Sequence, residues 1–164
     1  MTTMSQSRLE KEIRQVFPAM AMPAHADLLN EGADPRRHSD VLDDLEAMRS
    51  EGVNGNSIRA IHQELALLSA KTWRWLLPHY LLFCLTSEAI YNRFETEFLI
   101  YNLGPELAFQ RDTQRRLACL NREQIRCLIH FLEWCEGDKY WRDSLFTHIE
   151  KAKSFLSIVE SELK

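Results

Sequence analysis

The chain reads as all-α, a single multi-helix bundle of about six to seven helices spanning residues 1–164, with a proline-kinked central helix. Three observations point there. Apolar side chains recur at helical rather than alternating spacing, and only five Gly and five Pro leave few tight turns for a strand-rich sandwich. Residues 69–85 gather two Trp, a Tyr, a Phe and five Leu around Pro78, the composition of a core element. A chain of 164 residues can bury roughly 70% of its unfolded surface, enough for one genuine core.

Leu9, Ile13, Val16 and Phe17 form the apolar stripe of a short first helix that Pro18 stops. Residues 18–38 hold Pro18, Pro23, Gly32 and Pro35 with few large apolar residues, and read as a long connection of the functional or loosely ordered kind. Ser39 or Asp40 caps a helix carrying Val41, Leu42, Leu45 and Met48 and ending at Gly52. After a turn at Asn54, Gly55 and Asn56, Ser57 caps a stripe of Ile58, Ile61, Leu65 and Leu68. The segment from Ser69 follows. Pro78 lacks an amide donor, which predicts a kink or two helices in series.

Ser87 starts a helix through Ile90, Tyr91, Phe94, Phe98 and Tyr101, closed by Gly104 and Pro105. A short helix is expected after Asp112. Asn121 and Gln124 have capping-box spacing ahead of Ile125, Leu128, Ile129, Leu132 and Cys135, with Gly137 as terminator. Asp138 then opens a last long helix through Trp141, Leu145, Ile149, Phe155, Leu156 and Val159, with Trp141 in the core and Tyr140 at the surface.

Specific chemistry is harder to find. No cysteine pair has CxxC spacing, no HExxH occurs, and Cys127, His130 and Cys135 are spread over more than two turns, so no metal or cofactor is assigned. Gly-rich phosphate loops and a GxSxG elbow are missing. Cys84, Cys119, Cys127 and Cys135 sit inside apolar helical patterns, as thiols in a reducing compartment do, and the N-terminal segment lacks a secretory leader; both point to the cytoplasm. The apolar run at 81–85 falls far short of the ~20 residues a membrane span needs.

Charge suggests surfaces. The net charge of −4 disfavours general binding to nucleic acid. Arg111, Arg115, Arg116, Arg122 and Arg126 form a local basic cluster, and Asp40, Asp43, Asp44, Glu46 and Glu51 an acidic one; both read as solvated faces available to a partner. Glu95 and Glu97 point to different sides of their helix, which argues against a catalytic carboxylate pair.

Leu68-Ser69-Ala70 leading to Trp73, Leu76-Leu77-Pro78 and Tyr80-Leu81, the Tyr101-Asn-Leu-Gly-Pro105 stop, and Leu120-Asn-Arg-Glu-Gln124 leading to Phe131-Leu132 together resemble a family of small bacterial helical proteins catalogued as a domain of unknown function. The resemblance covers the first helix and residues 57–137. It implies a fold and no catalytic residues. Small, acidic, motif-free helical chains of this kind look like immunity proteins or antitoxins, so the expected function is a cytoplasmic protein-interaction module without catalysis whose partner is another protein. One alternative is a small-molecule site or enzyme pocket near Pro78 using His62, Glu64, His79 and Tyr80. Another is a nucleic-acid-binding regulator using the arginine cluster.

Overall fold

In this computed structural model residues 3–163 are described; Met1, Thr2 and Lys164, the ends of the domain expected over 1–164, lie outside them. Among the described residues there are ten α-helices, eight of them seven residues or longer, and no strand. The count exceeds six to seven because two expected long helices divide and the short helix expected after Asp112 is an element of its own. Contacts along the chain gather into two units, one built from the residues up to Pro18 with those from Ile100 onward, the other from Ala19–Leu99.

In the second unit, residues 19–38 are ordered by backbone pairing and by the burial of Leu28. Leu29 bridges Leu68, the Ser69 amide donates to the Leu28 carbonyl at 3.0 Å, and the Asn30 amide donates to Leu67 at 2.9 Å. Lys71 reaches Asp27, and Arg49 donates to the Pro23 carbonyl at 2.6 Å. α2 (Ser39–Glu51) buries Val41, Leu42, Leu45 and Met48. Its N-cap is His38, without a side-chain bond, so neither Ser39 nor Asp40 caps it; Gly52, at φ +84°, ends it in a conformation that suits glycine.

α3 (Gly55–Ile61) also starts earlier than its pattern suggests. Asn54 accepts from the Ser57 amide at 3.1 Å while the Ser57 hydroxyl accepts from the Asn54 amide at 2.8 Å, so Asn54 is the cap and Ser57 its third-residue partner. The helix stops at Ile61, and Leu65–Leu67 forms a 3₁₀ turn. The Leu65 carbonyl is occupied by the Leu68 amide and by the Trp73 indole at 2.7 Å.

α4 (Ala70–Cys84) is one helix with Pro78 in its interior, not two in series. Ser69 caps it, and Trp73, Trp75, Leu76, Leu77, Tyr80, Leu81, Phe83 and Cys84 are buried. That burial offsets the ~3 kcal/mol cost of an interior proline. Thr86, rather than Ser87, caps α5 (Ser87–Asn92), and Arg93 at φ +72° separates it from α6 (Phe94–Leu103), where a single helix was expected.

In the first unit, Ser5 caps α1 (Gln6–Val16), whose Leu9 and Ile13 are buried. α7 (Gln110–Leu117) follows a 3₁₀ turn at Leu107–Phe109 and begins slightly ahead of Asp112. α8 (Arg122–Glu136) carries the expected reciprocal box, Asn121 Oδ1 accepting from Gln124 at 2.9 Å and Gln124 Oε1 from Asn121 at 3.0 Å. It packs against α1 and α10, and Gln124 also donates to the Val16 carbonyl. The last helix divides into α9 (Lys139–Ser144) and α10 (Phe146–Glu162) at Leu145, whose φ of −128° and ψ of 19° leave the helix while its side chain stays buried. Trp141 is buried and Tyr140 exposed, as expected.

Candidate functional site

The four residues expected around a Pro78 pocket do not converge. A small cavity of about 10 Å³ lies beside α4, lined by Leu65, Trp73, Leu76, Leu77, Tyr80 and Leu99. That is the lower limit for one water, and its wall is apolar. Tyr80 alone of the four lines it. Its hydroxyl is turned to the Glu95 carbonyl at 2.7 Å, and burial raises its pKa well above the usual phenol value. His62 bonds the Arg59 carbonyl through Nδ1 and meets the edge of Phe98; Glu64 is half-buried at the start of the 3₁₀ turn. His79 is exposed beside the Trp75 ring, 5.7 Å between centroids, and partial desolvation lowers its pKa.

The polar interior of this unit is elsewhere. Glu95 is fully buried at the start of α6 and accepts from Arg59 Nε at 3.0 Å, while Arg59 Nη2 reaches Glu88 at 2.7 Å. Glu95 Oε2 is buried without a hydrogen-bond partner. Cys84 is near, its thiol pushed up to about 12 by burial, and so is protonated and unreactive at neutral pH. This arrangement ties α3 to α6 through an ion pair between the fully buried Glu95 and the partly exposed Arg59. The sequence signal for it was a Glu at an apolar-phase position, one residue after Phe94, which lies outside the core.

The acidic cluster is partly engaged. Glu46 accepts from Arg49 at 2.8 Å and from His25 at 2.9 Å; the Arg49 bond, then the His25 bond, hold its carboxyl down to about 2. Asp40 and Asp43 are exposed, Asp44 half-buried. Of the arginine cluster, Arg126 pairs with Glu160 at 2.5 Å, Arg122 donates to the Leu163 carbonyl at 2.7 Å, and Arg115 lies 3.8 Å from Asp112. Arg116 is buried and bonded to Thr113, and desolvation lowers its pKa; it is not part of a solvated face. Arg111 is exposed.

His130, one member of the rejected metal trio, bonds both carboxylate oxygens of Glu12 at 2.8 and 2.9 Å, tying α8 to α1. Cys127 is buried and its thiol is pushed up to about 12, chiefly by desolvation. Among the described residues no group of three His, Cys, Asp or Glu side chains is placed to hold a metal ion. None of their helices is long and apolar enough to cross a membrane.

Bulky apolar side chains left outside the core were missed by pattern reading. In the second unit Tyr91 is 85% exposed and Phe94 60%, on either side of the left-handed Arg93. In the first unit Leu107 is 83% exposed, Phe109 61% and Ile158 57%. Helical spacing finds the stripe a helix presents, but short 3₁₀ turns and helix breaks shift which residues lie on it.

These features define an all-helical protein with a closed apolar interior and exposed aromatic and aliphatic side chains. The chain belongs to DUF6714, a family of unknown function, whose model matches residues 6–155. The match includes the 18–38 connection and most of the final helix, which lie beyond the stretches that carry the sequence resemblance. No curated protein and no solved structure matches the chain.

Proposed function

We propose that this protein is a protein-interaction module, acting on a protein partner in the manner of an immunity protein or antitoxin within a bacterial cytoplasm. The observation that carries this reading is the exposure of Tyr91, Phe94, Leu107 and Phe109 in a chain whose core is otherwise complete. Exposed aromatic residues beside arginine are the composition of binding hot spots, and exposed apolar patches mark interaction surfaces. The Pro78 cavity lends little to a small-molecule reading, since ligand sites run to roughly 300–1,000 Å³. Four cysteines outside any disulfide, three of them buried, suit a reducing compartment.

In-cell crosslinking of the tagged full chain in its source cells, followed by mass spectrometry, tests this. A stoichiometric protein partner crosslinked near residues 91–94 or 107–109 is the expected result. Recovery of no such protein, together with a bound metabolite in native mass spectra, would overturn it.

A further inference from the structure

The first unit carries an apolar face with a defined charge beside it. On α10, Lys151, Phe155, Ile158 and Glu162 follow one another at spacings of four, three and four, and so share one stripe. Both ends of that stripe meet the segment 106–114. Lys151 pairs with Glu106 at 2.8 Å, and Glu162 accepts a hydrogen bond from Gln114. Between these two ties Phe155 is buried, yet Ile158 stays more than half exposed, as do Leu107 and Phe109 on the segment alongside. Arg111 stands three residues before Gln114, about one turn away on α7.

Arg111 differs from its neighbours. Arg115, Arg122 and Arg126 are engaged with Asp112, the Leu163 carbonyl and Glu160, and Arg116 is buried. Arg111 is exposed, and its guanidinium makes no ion pair or hydrogen bond with any described residue. α7 carries Arg111, Arg115 and Arg116 against a single acid, Asp112. An occupant of this face must cover Leu107, Phe109 and Ile158 and bring negative charge to Arg111.

We infer that the face formed by Leu107, Phe109, Arg111 and Ile158 docks an amphipathic helical segment of a partner protein with an apolar stripe and a flanking Asp or Glu. This rests on the interaction reading above and names the partner's chemistry. A helix supplies apolar side chains at i, i+3, i+4 and i+7, the spread that three separated apolar residues require. Its acid meets the unengaged guanidinium, which a carboxylate can bind through two hydrogen bonds.

Selection from a random peptide display library against the full chain tests the inference. The expected winners carry an apolar helical stripe with an adjacent acid, and bind on the order of tenfold more weakly to Arg111→Glu and to Leu107→Asp. Replacing the peptide's acid by Lys is expected to restore binding to Arg111→Glu. Because both positions are exposed, unfolding midpoints of the variants should match the parent. Failure to enrich any peptide, enrichment of peptides indifferent to both substitutions, or salt-sensitive binding of single-stranded oligonucleotides lost with Arg111→Glu would each overturn it. A partner crosslinked only at residues 91–94 would overturn this face while leaving the interaction reading intact.

Discussion

Residues 121–137 and residues 86–104 have similar apolar content and opposite fates. In the first stretch the helical stripe and the buried set nearly coincide: Ile125, Leu128, Leu132 and Cys135 face inward from a helix with a reciprocal cap, Ile129 is half-buried and Phe131 joins the core. In the second, Arg93 adopts a left-handed conformation, the helix divides, Phe94 and Tyr91 turn outward, and Glu95 takes a fully buried place opposite Arg59. One backbone residue at φ +72° shifts the phase of everything after it. Periodicity therefore reports burial only while the helix is continuous.

Truncating a phenylalanine in each region gives the widest separation. Phe131→Ala leaves a core cavity and should cost about 3–5 kcal/mol, whereas Phe94→Ala should stay within about 0.5 kcal/mol of the parent. Chemical denaturation of both variants checks this; equal losses would show that Phe94 is packed like Phe131. The terminal glycines come next. A Cβ on Gly104 would lie 2.8 Å from the Ala152 backbone nitrogen, so Gly104→Ala should lose about 1–3 kcal/mol. At Gly137 the nearest atoms are 3.2 and 3.3 Å away and φ is −68°, so Gly137→Ala should be much milder. Thermal unfolding of the pair reads the difference.

Arg93 itself offers a cleaner comparison. Arg93→Gly and Arg93→Ala both delete the side chain, but only glycine accepts the left-handed backbone without penalty, so the glycine variant should be the more stable by about 1 kcal/mol. Identical stabilities would mean that the residue relaxes out of that conformation. The smallest effect lies outside both regions, at Glu46. Its folded pKa is depressed from 4.5 to about 2, so its contribution is present above about pH 4.5 and is lost as pH falls toward 2. The gap in unfolding midpoint between the parent and Glu46→Gln should close over that interval. A gap independent of pH would contradict the pairing with Arg49 and His25.

Where local signals were self-contained, they were legible in the sequence. The Asn121 box, the Gly52 and Gly104 stops and the buried Trp141 all follow from residues close together in the chain. What escaped depends on distant partners. Arg59 and Glu95 stand 36 residues apart, and the 18–38 connection gains its order from Leu68 and Ser69. The outward turn of Leu107 and Phe109 follows from a 3₁₀ geometry that no helical template anticipates. No pocket forms around Pro78 from His62, Glu64, His79 and Tyr80, because His62 Nδ1 and the Tyr80 hydroxyl are each taken by a backbone carbonyl.

The proposed docking face needs Leu107 and Phe109 to stand outside the core and available to a partner. Thermal unfolding of the Leu107→Ser, Phe109→Ser double variant, run beside its capture of the crosslinked partner, measures both halves at once. An unchanged midpoint with capture lost is the predicted result. A midpoint lowered by several degrees, or an unchanged midpoint with capture intact, would contradict it.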